Sequence, residues 1–218
     1  MWQLNFIQKV IVYAPPILFA ITVHEVAHGW VASKLGDKTA LMLGRLTLNP
    51  LKHIDLVGTV IIPLILLFFG GFIFGWAKPV PVNPNNLKKP RRDMALVAIA
   101  GPIANIIMAI IWAAIMKLGI ILMGHDLKFA LPIVLMGQAG IIINLVLMIL
   151  NLIPIPPLDG SRVVSALLPV KLAAKYDHIA PYGIFILLLL LVTGILHLFL
   201  WPPIVLLQKL ISIIFRLG

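Results

Sequence analysis

Residues 10–35 form an apolar run long enough to cross a bilayer, and inside it sits the charged cluster His24-Glu25-Val26-Ala27-His28. Ionisable groups at membrane depth are costly and mark a function by default, so the rest of the fold must be built to house them. On a helix, residues i and i+4 share a face, so His24 and His28 can offer imidazole nitrogens to one metal ion. Glu25 projects about a quarter turn away. It can therefore act on a water at the metal without being a ligand. It is also the only glutamate in the chain. The plainer alternative is a His/Glu cluster that hydrogen-bonds between helices.

Three further runs, residues 94–123, 133–152 and 184–200, read as spans. After Trp201-Pro202-Pro203 a short amphipathic helix follows, with Gln208, Lys209 and Arg216 on its polar side. Pro15-Pro16 should kink or start the first helix. Residues 36–55 mix turn formers with short apolar alternation, which suits a small β element or an interfacial loop. Residues 56–76 are apolar but broken by Gly58, Pro63, Gly70, Gly71 and Gly75, and the alternate prolines Pro79, Pro81 and Pro84 force extended backbone.

The chain is 61% hydrophobic, against about 45–50% in globular proteins, which makes it an integral membrane protein partnered by the lipid bilayer. Its net charge of +10 comes from residues at the ends of apolar runs. That is the pattern of cytoplasmic flanks, and no nucleic-acid partner is expected. There is no cysteine, which excludes thiolate ligands and a cysteine nucleophile. With no inserted soluble domain, residues 1–218 read as one membrane domain, its core about 10–165 and its C-terminal helices 166–218. The expected architecture is all-α: about four transmembrane helices, a re-entrant helix and extended segment over residues 56–84, the small β element and the C-terminal amphipathic helix.

A catalytic zinc takes a third protein ligand and keeps an open position for water. Asp37, Asp93, Asp126 and Asp177 lie in turn-like contexts that suit caps or solvated charges, as do His125 and His178. His197 is a lone histidine on the last span. Asp159 and the pair His53/Asp55 remain. Asp159 is favoured, because it follows a proline-fixed irregular segment at the end of a span, and such backbone at membrane depth lines a cavity or packs in protein.

His24-Glu25-Val26-Ala27-His28, Ala100-Gly101-Pro102-Ile103-Ala104-Asn105 and Asn151-Leu152-Ile153-Pro154-Ile155-Pro156-Pro157-Leu158-Asp159-Gly160 resemble the HExxH, AGPxxN and NxxPxxxLDG motifs of the site-2 protease family of intramembrane zinc metalloproteases. Residues 75–82 further resemble a compact bacterial branch without a PDZ domain. The resemblance implies one zinc per chain on His24, His28 and Asp159, Glu25 as general base, and a transmembrane protein as substrate. It also matches Asn151 to an active-site asparagine whose amide could donate to a developing oxyanion, or else make a structural bond at the helix end. For Asn105, interhelical hydrogen bonding is the favoured role. The competing functions are a membrane protein that binds or transports divalent metal, and a catalytically silent scaffold. The first does not explain a glutamate placed beside the ligands yet unsuited to ligation, and the second is disfavoured because every chemical position is filled.

A shared zinc also constrains topology. Under strict alternation of spans, Asp159 would emerge on the opposite side of the membrane from the histidines. The conflict disappears if residues 56–77 enter and leave on one side. A helix over residues 56–69 would reach only about 21 Å at 1.5 Å per residue, short of a core roughly 30 Å thick. The expected arrangement is a multi-pass plasma-membrane protein with both termini outside and the site nearer the cytoplasmic face.

Overall fold

The computed structural model describes residues 4–61, 65, 78–125, 127 and 129–217. Among them there are helices and irregular connections but no strand. The first helix, α1 (Phe6–Leu35), starts at a capping box made by Asn5 and Gln8 and passes through Pro15 and Pro16 without ending. The expected start at the prolines is therefore wrong. Inside an apolar bundle the donors and acceptors that proline displaces find other partners, so it can sit mid-helix.

The small β element expected in residues 36–55 is also absent. That stretch holds a short helix, α2 (Thr39–Met42), and a single 3₁₀ turn at Pro50–Lys52. The Asp37 carboxylate accepts from the backbone N–H of Thr39, and the Asn49 side chain accepts from that of Leu51. Such local caps compete with a strand ladder, and here they win.

The bundle itself is α3 (Pro90–Met123), α4 (Ala130–Leu152) and α8 (Ile195–Phe215), with α1 against the first two. Between α4 and α8 lie α5 (Asp159–Leu167), α6 (Val170–Asp177) and α7 (Gly183–Val192). Ala109, Trp112, Ala113, Ile141, Leu145 and Met148 form the shared core of α3 and α4. The two helices touch so closely that a Cβ on Gly140 would lie 2.2 Å from the Trp112 ring. Among the described residues five segments, not the four or so expected, are long and apolar enough to cross a membrane: Phe6–Leu35, Pro90–Met123, Ala130–Leu152, Val170–Val192 and Ile195–Phe215.

The C-terminal region departs from expectation. Gly194 adopts φ +75°, a left-handed turn that glycine makes without strain, and α8 then runs unbroken through Pro202 and Pro203. The break expected at Trp201-Pro202-Pro203 and the amphipathic helix beyond it are replaced by one long apolar helix. Leu196, Leu200, Ile204 and Ile211 recur on one face and bury against α3 and α4, so the packing stripe continues across the prolines. Lys117 Nζ donates to the Arg216 carbonyl at 2.8 Å, fixing the far end of α8 to the far part of α3.

Contacts between the helices set their directions. His28 of α1 lies beside Val97 of α3, and Ala20 beside Asn105, so these helices are antiparallel. Asn105 meets Asn144, while Gly119 packs on Val134, so α3 and α4 are antiparallel too. Helices α1 and α4 therefore run in the same direction. The long connection from α1 to α3 returns to its starting end: Lys88 N–H donates to the Leu35 carbonyl at 3.3 Å and Lys78 N–H to the His53 carbonyl at 2.9 Å. The first turns of the expected re-entrant excursion, Leu56–Ile61, are helical. Its remainder, residues 62–77 apart from 65, lies outside the described residues.

Candidate metal centre

His24 and His28 face α3 from one side of α1, and both are buried. Their Nδ1 atoms are anchored: His24 Nδ1 lies 2.6 Å from Asn105 Oδ1, and His28 Nδ1 lies 2.7 Å from the Val97 carbonyl. Both partners are acceptors, so each ring carries its proton on Nδ1 and presents a bare Nε2. The two Nε2 atoms are 3.0 Å apart. Asp159 Oδ2 lies 3.3 Å from each of them.

The third group arrives by a different route. Helix α4 ends at Leu152, the proline-rich segment turns the chain, and Asp159 opens α5, where an acidic residue suits the positive end of the helix. A Cβ on Gly160 would lie 2.3 Å from the Leu152 carbonyl, so only glycine lets α5 start this close to the end of α4. Arg91, from the first turn of α3, donates to the carbonyls of Ser165, Ala166 and Leu168 and so caps the other end of α5.

The donor set fits a metal ion. Among the described residues, His24, His28 and Asp159 are the group whose ligand atoms converge, all within 4.8 Å of one another. Tetrahedral zinc with bonds of about 2.0–2.2 Å has donor-to-donor edges of roughly 3.4 Å, close to the three distances here. Asp159 Oδ2 is buried with no hydrogen-bond donor, as an oxygen reserved for a cation would be. A Cβ on Gly101 would sit 2.5 Å from both His24 Cε1 and His28 Nε2, so the missing side chain leaves the room in which the imidazoles meet.

Glu25 stands outside this triad. Its Oε2 accepts the backbone N–H of Val80 at 2.7 Å. Because Pro79 and Pro81 have no N–H, Val80 supplies the one donor in that short stretch. Residues 78–83 are without helix, as expected, and are pinned along α1, whereas Pro84, expected to be extended, opens a 3₁₀ turn (Pro84–Asn86) capped by the Asn83 side chain. Arg45 Nη2 donates to the Lys78 carbonyl at 3.0 Å, Val80 packs over Gly29, and Asn83 N–H donates to Asp37 Oδ2 at 2.7 Å. Burial alone would raise the pKa of the Asp37 carboxyl. Hydrogen bonds from the Thr39 hydroxyl, the Asn86 amide and the backbone of Asn83 and Thr39 outweigh it and hold the carboxyl below the usual range.

Other polar residues are engaged elsewhere. Asn151 Nδ2 donates to the Leu147 carbonyl of its own helix at 3.0 Å. His53 Nε2 bonds the Thr47 carbonyl, and Asp55 Oδ1 accepts from Gly58 N–H. Asp93 caps α3 through Lys89 N–H, Asp177 accepts from the Ser165 hydroxyl, and His197 stacks on Trp201. Asn105 makes the expected bonds between helices, and one of them reaches His24. Sequence reasoning named Gly101 only as part of the Ala100–Asn105 motif and Asp37 as a cap, which it is, and it missed the close approach of Gly101 to the histidines and the contact of Val80 with Glu25. A glycine facing the histidines across a helix pair leaves no periodic signal.

The model of "Peptidase family M50" matches residues 13–135 and 118–191. "Putative zinc metalloprotease YwhC" of Bacillus subtilis is 40% identical over 190 residues, covering 85% of this chain and 82% of that protein. "Putative zinc metalloprotease Rip2" of Mycolicibacterium smegmatis is 28% identical over 185 residues, covering 83% and 66%. The protein of the same name from Mycobacterium tuberculosis H37Rv is 30% identical over 179 residues, covering 80% and 63%. No solved structure matches the chain.

Proposed function

This chain belongs to peptidase family M50, the site-2 proteases, and from that premise we propose that it hydrolyses a peptide bond within or beside the transmembrane segment of a membrane protein. It is a multi-pass membrane zinc metalloprotease. What carries the reading of the site is the convergence of His24 Nε2, His28 Nε2 and Asp159 Oδ2 at 3.0–3.3 Å, with Glu25 next in sequence to a ligand but outside the triad.

His24, His28 and Asp159 would hold the zinc. When bound between two neutral imidazoles and one carboxylate, zinc keeps a residual positive charge that makes water a nucleophile near neutral pH. Glu25 takes the proton from the attacking water and later hands it to the leaving amine. The Val80 N–H fixes one carboxylate oxygen, leaving the other to hold that proton. Asn105 and the Val97 carbonyl keep both imidazoles in the ligating tautomer. Asn151 could turn its amide towards a substrate carbonyl, but its present partner favours a bond at the helix end. A helical substrate hides its scissile amide in its own hydrogen bonds, so local unwinding has to come first. The pinned extended segment at residues 78–83 offers an edge against which an unwound strand could pair.

A single-span reporter reconstituted with the protein in liposomes tests the substrate class. Mass spectrometry of the products should place the cut within or beside the span. A helix-breaking Gly-Pro pair placed in the span should raise the rate about tenfold, corresponding to about 1.4 kcal/mol less unwinding. Cleavage only in a soluble tail would overturn the proposal.

We infer that the site lies nearer the cytoplasmic face. The basic residues of segments 34–52 and 78–92 gather at the end of the bundle where the triad lies, which the charge rule assigns to the inside. With no native cysteine in the way, single cysteines at Asn5 and Gly124 should react with an impermeant thiol reagent in intact cells, and one at Asn86 should not. Outside labelling at residue 86 would reverse the orientation.

A further inference from the structure

Asn144 lies in the middle of α4, fully buried, and belongs to none of the three motifs. Its Nδ2 donates to the Gly140 carbonyl at 2.8 Å, and its Oδ1 accepts from Asn105 Nδ2 at 2.9 Å. Asn105 Nδ2 also points at the Ala20 carbonyl, at 3.3 Å, which leaves Asn105 Oδ1 facing His24 Nδ1 at 2.6 Å.

The polarity of this chain of bonds is not arbitrary. A backbone carbonyl can only accept, so the Asn144 atom on Gly140 must be its NH₂, and its oxygen must face Asn105. The Asn105 atom between Ala20 and Asn144 then meets two acceptors and must be an NH₂ as well. The oxygen of Asn105 is thereby turned to His24, whose Nδ1 must carry a hydrogen. If Asn105 were flipped, it would set oxygen against oxygen at both neighbours and donate to Nδ1, forcing the His24 proton onto Nε2, the atom that faces the triad. Of the two contacts that oppose the flip, the one to Asn144 is the shorter.

We propose that Asn144 is a positioning residue: through Asn105 it holds His24 in the tautomer and ring orientation that present Nε2 to the metal. This rests on His24 being a zinc ligand. Asn144 touches neither metal nor substrate, and it acts by fixing which way an amide points. Outer partners of metal-bound histidines typically change affinity 10- to 100-fold, and a residue one step further out belongs at the lower end.

Asn144→Ser is the informative substitution. Its hydroxyl can satisfy itself on the Gly140 carbonyl, one turn back, but is too short to reach Asn105. The full-length protein, in detergent, stripped of metal and labelled with ¹⁵N-histidine, reports ring tautomers by NMR, with the His24 signals assigned by their loss in His24→Gln. The wild type should show His24 protonated on Nδ1. Asn144→Ser should show a mixture and bind zinc about tenfold more weakly in chelator competition. In an Asn105→Ala background, Asn144→Ser should change neither quantity. Should the serine variant not accumulate, Asn144→Leu, closer in volume, carries the same expectations. An unchanged tautomer and zinc affinity, or equal losses with and without Asn105, would overturn the proposal. Full zinc affinity in His24→Gln would instead remove the ligand assignment beneath it.

Discussion

Glu25→Gln should abolish peptide hydrolysis, lowering kcat by about a thousandfold, while zinc binds within about threefold of wild type; loss of a general base typically costs 10²–10⁴. The substitution keeps the size of the side chain, and the amide oxygen of glutamine can still accept the Val80 N–H that Glu25 Oε2 now accepts. The packing of residues 78–83 along α1 is therefore retained. What disappears is the ability to take a proton and return it. Zinc content by mass spectrometry and cleavage of the reporter, measured on one preparation, separate the two effects. Loss of zinc would make Glu25 a ligand, and undiminished cleavage would make it a bystander. The same pair of measurements distinguishes a protease from a metal carrier, because a carrier needs the triad but has no use for a base.

Gly101→Ala should weaken metal binding by about a hundredfold, the upper end of what displacing the surroundings of a metal-bound histidine costs. The added Cβ would stand 2.5 Å from both His24 Cε1 and His28 Nε2. Neither ring can swing clear, because Asn105 and Val97 hold their far sides. Nor can the backbone retreat, since Gly101 lies inside the 34-residue helix α3 and is buried. By helix propensity alone the substitution stabilises by about 1 kcal/mol. A folded, thermally robust protein without zinc is the expected outcome, read by melting temperature and by chelator competition. Wild-type zinc affinity in Gly101→Ala would mean that the imidazoles do not meet where the structure brings them.

The spacing of His24 and His28 was legible because a helix turns a fixed angle per residue. Asp159 was legible by elimination among few acids and by the irregular segment before it. That α1 and α4 run the same way followed from requiring the three to meet, and the bonds from Lys88 to Leu35 and from Lys78 to His53 show the return that this demands. The errors have physical causes. In residues 36–55 apolar alternation resembled strands, but Asp37 and Asn49 satisfy the backbone locally. Pro202 and Pro203 read as a break, yet buried Leu200 and Ile204 on either side keep α8 whole. Asn144 was hidden in a run that read simply as a span. A neutral amide deep in an apolar helix is itself a signal, because it must find a partner there.

The bond between His53 and Lys78 has one more consequence. It clasps the intervening stretch at its base, so whatever path that stretch takes, its two ends are held independently of its length. Lys78 is thereby tethered to the segment that follows α1, and Val80, two residues further on, keeps its register against Glu25 from that tether.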